Sequence, residues 1–329
     1  MGRRSFFVLR LGLLSSLLLT LSLLLTACSL DRKAVEPTWL TLVTTQELQD
    51  SGLLDVLLPP YEQANNVRVK RLPVTTAMGL DYASKAGVDV LLLPGGPALD
   101  ALGGPAPTYP PYQRDLFPTP TAYTGPGPIP TPLPGKLYNE RRLALWTELV
   151  GLGPADNTSD LTTQVDAASY LRALVLSGQL FYVPAPDQEP ALFATLQGVW
   201  GLKGIYTAAD RGPNNRLIEA DVETVVKKAA QDKAFTVAPL ATFLKLQSDP
   251  AVKGKLKVTF QIDKTFFEPY DVLVPNNTPD TDRNVALART LADYLTGQQA
   301  QGLIDKYIPT GTDRPIYRPA YYPVYVPKI

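Results

Sequence analysis

The sequence predicts an α/β protein in two lobes, each a largely parallel sheet flanked by helices. Three observations carry this reading. From Leu40 to Pro94, apolar strand-like segments alternate with helical ones in the order strand, helix, strand, helix, strand. The alternation resumes at about Arg141 and runs to Tyr307. Between the two runs, residues 94–134 hold 13 of the 32 prolines and read as loop or semi-rigid polyproline segment outside any core. With an export segment set aside, about 300 residues remain, enough for two lobes with a core each.

The N-terminus reads first as that export segment. Arg3 and Arg4 precede an apolar run from Leu11 to Leu25, which ends in Leu25-Thr26-Ala27-Cys28. A basic start, an apolar stretch and small residues before a cleavage point make a secretory signal, here over residues 1–27. The apolar run is short for a full membrane span of about 20 residues. Cysteine directly after the small residues resembles a bacterial lipobox, so Cys28 is expected to carry the lipid and residues 28–37 to form a tether. Ser29 leaves the choice between an inner and an outer membrane open.

The first lobe opens with the strand Trp39–Val43, a polar hinge containing Glu47, and a helix from about Ser51. Pro59 and Pro60 predict a kink or stop near Leu58. Val67–Val74 alternates like a half-buried strand, a helix follows around Thr76–Lys85, and Val88–Pro94 is continuously apolar, as a strand covered on both faces would be. After the proline-rich stretch, Leu143–Leu152 predicts a long strand, Ala167–Ser177 a helix, Leu180–Val183 a strand and Ala191–Trp200 an amphipathic helix. Asp221 is a helix N-cap followed by Val222, Val225, Val226 and Ala229 at helical spacing. Phe235–Pro239, "KVTFQI" and "YDVLVP" read as strands, and Leu240–Leu246, Val285–Leu295 and Gln298–Tyr307 as helices. From Lys306 to the end come five tyrosines and five prolines, expected as an arm packed on the surface rather than helix or inner strand.

Composition excludes several functions. There is no histidine, which removes imidazole bases, imidazole metal ligands and Ser-His-Asp or Cys-His catalysis. Cys28 is the single cysteine, so no internal disulfide forms. Loss of residues 1–27 removes Arg3, Arg4 and Arg10 and leaves 28 basic against 31 acidic residues, a balance of −3. Nucleic acid needs a basic face and is not an expected partner. No cofactor is expected. Asp187 and Glu189 lie too close in sequence to make a convincing catalytic carboxylate pair, so no enzyme is expected either.

Three segments resemble one family. "TTQELQDSGLLDVLLPPYEQ", "RRLALWTELVGLGP", and "FEPYDVLVPNNTP" followed by "ARTLADYLTGQQAQGLIDKY" are similar to the extracytoplasmic tungstate-binding receptors of ABC importers, within the type II periplasmic-binding-protein superfamily. Gln49–Pro59 carries the specific match, and the last segment is common to the wider superfamily. The resemblance implies two α/β lobes with mostly parallel sheets joined by two crossing strands. Lobe one is expected at 38–140 plus 265–308, with the insertion at about 97–137; lobe two at 141–264; and the tyrosine- and proline-rich arm at 309–329. It also implies a monomer that closes on a small solute by hinge bending and delivers it to an importer permease.

The ligand motifs of that family are altered here. The hydroxyl loop keeps Thr44 and Thr45 but continues with Gln46, Glu47 and Leu48. A second motif, Ser-Arg-Gly-Asp-Asn-Ser-Gly-Thr in the family, reads Pro184-Ala185-Pro186-Asp187-Gln188-Glu189-Pro190, which removes an arginine, several hydroxyls and three backbone N–H donors. A third, Asp-Arg-Gly-like motif falls on Ala238-Pro239-Leu240; Arg211 in "DRG" is either a replacement cleft cation or a solvated loop charge. The expected ligand residues are Thr44, Thr45, Gln46, Glu47, Asp187, Gln188, Glu189 and Arg211, with no metal site assigned. Glu47, Asp187 and Glu189 are either a site for a cation or an amine-bearing solute or ordinary loop carboxylates. Trp146 reads as core, or as an aromatic stacked on an organic ligand. Two functions follow: a lipid-anchored solute receptor with a changed ligand, or a ligandless surface lipoprotein that binds another protein.

Overall fold

Strands that are apolar on both faces need cover on both sides, and the central strands here are covered in that way. Leu40, Leu42, Val43 and Val90–Leu93 are fully buried. The computed structural model describes residues 36–83, 87–95, 97–103, 137–157, 160–261, 263, 266–276 and 284–320. The chain divides into residues 1–38 and 39–329; the second unit is described here. Residues 1–35, with the signal segment and Cys28, and residues 104–136 of the insertion lie outside the described residues.

In chain order the elements are β1 (Thr38–Thr45), α1 (Gln46–Asp50), α2 (Leu53–Asn65), β2 (Val67–Val74), α3 (Thr76–Tyr82), β3 (Val90–Pro94), α4 (Pro97–Gly103) and β4 (Tyr138–Pro154). Then come α5 (Ala167–Ser177), β5 (Phe181–Pro184), α6 (Pro190–Gly201), α7 (Ala208–Arg211), β6 (Asn215–Ile218), α8 (Val222–Asp232), β7 (Phe235–Pro239) and α9 (Leu240–Leu246). The chain continues through β8 (Leu256–Phe260), β9 (Phe267–Pro275), α10 (Val285–Leu295), α11 (Gln298–Lys306) and β10 (Tyr317–Pro319).

The strand order β2-β1-β3-β9-β4-β7-β5-β6 makes one path with two halves. β1 and β3 are parallel, as are β5, β6 and β7. β4 belongs to both halves. Its first part, Tyr138–Glu148, pairs antiparallel with β9, and Leu149–Leu152 pairs antiparallel with β7. Beside this crossing the chain returns between β8 and β9, where Leu149 donates its N–H to Phe266 at 2.9 Å. Two crossing strands thus join two α/β halves, the mixed α/β architecture expected from the sequence.

Buried ion pairs stitch the crossing strand to its surroundings. Arg141, with 1 % of its side chain exposed, reaches Asp271 on β9 and Asp100 on α4, each at 2.5 Å. Arg142 reaches Glu140 and Asp293 at 2.6 Å, and Arg289 of α10 closes on Glu140. Trp146 packs in a small apolar cluster with Leu143 and Phe267, the core reading of that residue.

Several sequence expectations are corrected. α2 does not stop at Leu58 but continues through Pro59 and Pro60 to Asn65. Tertiary burial overrides the lost N–H groups: Leu57, Leu58 and Tyr61 are buried, and Tyr61 and Tyr294 hydroxyls tie α2 to α10. The polar hinge after β1 is the helical turn α1, because the Thr45 hydroxyl caps it by accepting from the Leu48 N–H. Residues 97–103 are helical rather than irregular, with proline at the first helical position where a missing N–H is harmless. The C-terminal arm is not merely superficial. β10 pairs antiparallel with Leu145–Thr147 of β4, Tyr317 is fully buried, and Arg314 forks onto Glu148 at 2.5 and 2.7 Å. The sequence reading also omitted β6 and α7.

Candidate functional site

A cavity of about 330 Å³ opens where the carboxyl ends of strands from both halves converge. Thr45 ends β1, Pro94 ends β3 and Pro239 ends β7, and all three line it. Carboxyl ends of strands at a change of strand order are where open α/β sheets bind ligands.

Five carboxylates line it: Glu47 on α1, Glu189 at the N-cap of α6, Asp221 and Glu223 at the start of α8, and Glu268 on β9; Glu47, Glu189 and Glu268 are its buried ones. The Glu47 carboxylate accepts from the hydroxyls of Tyr270 (2.8 Å), Thr147 (2.9 Å) and Tyr317 (3.3 Å). Tyr270 has one proton and gives it to Glu47, so the Thr45 hydroxyl donates to the Tyr270 oxygen at 2.9 Å. Burial pushes the Glu47 carboxyl up, and the three hydroxyls pull it part of the way back.

Glu189 is 8 % exposed. Burial lifts its carboxyl to about 7, the Thr76 hydroxyl and the Val222 N–H hold it down, and Asp221 and Glu47 push it up. Glu268 is 3 % exposed. Burial and then the charges of Glu47 and Glu189 drive it well above the carboxylate range, and no hydrogen bond or ion pair to its carboxyl forms among the described residues. The one cation on the wall among the described residues, Lys245, is held by Asp50 at 2.6 Å and by Glu223. The rest of the lining is largely apolar, including Val74, Met78, Leu192 and Val222. Among the described residues no three carboxylates stand close enough to hold one metal ion.

Of the residues expected from the sequence, the cavity brings together Thr45, Gln46, Glu47 and Glu189. Thr44 is fully buried and does not line it, and its hydroxyl has no hydrogen-bond partner among the described residues. Asp187 is exposed and faces Glu219, and the Gln188 amide turns to Asp187 at 3.4 Å. Arg211 lies away from the cavity, its guanidinium 5.0 Å over the Trp200 ring and 5.8 Å from that of Phe193.

Sequence reasoning missed Glu268, Tyr270, Thr76 and Lys245. The signal for the first two was present. Glu268 and Tyr270 are two apart, so they share one face of β9. The strand reading began at Tyr270 and left the glutamate outside it.

No protein-family model matches the chain. An ABC transporter anion-binding protein of Haloferax volcanii is 26% identical over 283 residues, covering 83% of this chain and 70% of the relative. The tungstate-binding protein TupA of Peptoclostridium acidaminophilum is 23% identical over 314 residues, covering 91% and 94%. The crystal structure of the tungstate ABC transporter protein from Geobacter sulfurreducens superposes with a TM-score of 0.61 at 23% identity, over 82% of this chain and 98% of that one. By their names these relatives are anion- and tungstate-binding proteins of ABC transport. In sequence and in its mixed α/β fold, the chain resembles the extracytoplasmic tungstate-binding receptors of ABC importers, within the type II periplasmic-binding-protein superfamily.

Proposed function

We propose that the chain is a lipid-anchored extracytoplasmic solute receptor that serves an ABC importer permease, and that its ligand is no longer the oxyanion of the receptors it resembles. The receptor part is supported by the names and folds of the relatives and by a cavity at the carboxyl ends of the strands. The changed ligand is supported by one observation: four glutamates and Asp221 line that cavity, while Lys245, its one cation among the described residues, is already paired twice. A dianion would meet repulsion from every side. In the segment after β5, Pro184, Pro186 and Pro190 offer no N–H to replace the lost donors. The anchor is supported by Arg3, Arg4, the run Leu11–Leu25 and Cys28. Residues 38–140 plus 265–308 and residues 141–264 are the lobes that close on the solute.

Two measurements test this. Mass spectrometry of the membrane-extracted protein should find acyl chains on Cys28, and Cys28→Ala should release the protein from membranes. Crosslinking in intact cells should recover a permease. Recovery of an unrelated protein, together with no response to any solute, would instead favour the ligandless lipoprotein.

A further inference from the structure

We propose that the cavity takes a small organic cation bearing an amine or guanidinium group, and that the carboxylate of Glu268 is its primary partner. This rests on the solute-receptor reading above and names the class of solute.

The argument starts from which carboxyl groups are already satisfied. Glu47 accepts three hydroxyl hydrogen bonds, Glu189 is met by the Thr76 hydroxyl and the Val222 N–H, Asp221 accepts from the Thr224 N–H, and Glu223 pairs with Lys245. Glu268 is 97 % buried, lines the same cavity, and has no donor or cation among the described residues. A carboxylate so placed is costly until a positive charge or donor arrives, and the protein does not supply one. Lys245 cannot serve while Asp50 and Glu223 hold it.

The walls decide what kind of cation fits. No metal-binding group of three is present among the described residues, so a bare divalent ion lacks its oxygen cage. Val74, Met78, Leu192, Val222 and the prolines Pro73 and Pro239 instead offer apolar contact to a carbon skeleton. A cavity of about 330 Å³ lies at the small end of ligand pockets. An ammonium or guanidinium head on a short aliphatic body satisfies both features, with its head donating to Glu268 and its body on the apolar wall.

Titration calorimetry on the full-length chain in detergent micelles, at pH 8 and low salt, tests this. The probes are agmatine and putrescine, with calcium chloride, sodium tungstate and glycine as contrasts. At least one of the two amines should bind at one per chain. Glu268→Gln, which removes a buried charge and should raise rather than lower thermal stability, should weaken that binding at least tenfold. Asp187→Asn, outside the cavity, should leave it unchanged. Amine binding that survives in Glu268→Gln overturns the role of Glu268. Binding of calcium or glycine without amines overturns the organic-cation class but keeps the receptor reading, and binding of tungstate also overturns the changed ligand. Silence from all five probes overturns both.

Discussion

Glu189→Gln should make the ligand-free protein more stable at pH 8 and flatten its stability between pH 4.5 and pH 7. Burial raises the Glu189 carboxyl from 4.5 to about 7, so the folded state holds a proton that the unfolded state has released. A raised acid contributes its stability in full below the unfolded value. That contribution is lost as the pH climbs through the folded value, and nothing more is lost above it. Each pH unit of separation is worth about 1.36 kcal/mol, so the wild type at pH 8 carries a penalty on the order of 3 kcal/mol. Glutamine keeps the shape and cannot ionise. The gain is reduced by weaker bonds to the Thr76 hydroxyl and the Val222 N–H, and it should reach roughly 3–5 °C in melting temperature for a chain of this size. Glu47 and Glu268 titrate near the same carboxyl. The informative quantity is therefore the difference between wild type and variant, followed by urea unfolding from pH 4 to pH 8. Two curves that stay parallel across that range would refute the placement of Glu189 as a buried, charge-crowded acid.

Glu47→Gln removes one of the charges that raise Glu189, so the midpoint of the Glu189 effect, read from the pair E47Q and E47Q/E189Q, should move below 7 towards 4.5. An unmoved midpoint would mean that the two carboxyls do not sense each other. Thr45→Val removes the cap of α1 and the bond to Tyr270, and should cost about 1–2 kcal/mol in urea unfolding. Arg314→Ala strands Glu148, which is 1 % exposed, and should cost about 3–5 kcal/mol, with Glu148→Gln added to Arg314→Ala restoring part of the loss.

The fold was legible where local chemistry and long-range packing agree. The bounds of α5, α9 and α10 follow from periodicity and end signals, and Asp221 does cap α8 by accepting from the Thr224 N–H. It was illegible where packing overrules local rules. Two prolines inside α2 argue for a break that buried Leu57, Leu58 and Tyr61 prevent. A three-residue strand, β10, has no pattern long enough to read, and only its pairing with β4 gives it form. The cavity was half legible. Glu47 and Glu189 stood in segments aligned with ligand motifs, but Glu268 comes from a strand about 80 residues beyond Glu189 in sequence, brought in by the return crossing. Arg211 was the one spare cation to read in a cleft. The fold instead lays it on Trp200, a contact no sequence pattern announces.

The segment after β1 carries the local features of an anion site. A hydroxyl cap, a helix N-terminus and nearby donors favour negative charge. Here the donors are present: Thr147, Tyr270 and Tyr317 all turn their hydroxyls to one place. The group they meet is the chain's own Glu47, in the first turn of α1, where the helix dipole also favours a carboxylate. An internal anion thus uses up the donors that an external one would need. Tyr317 reaches Glu47 only because β10 is stitched to β4 and Arg314 to Glu148. The C-terminal arm therefore helps to hold the Glu47 carboxylate in place. On the proposal above, the charge that the cavity awaits is positive, and Glu268 is the buried carboxylate that would meet it.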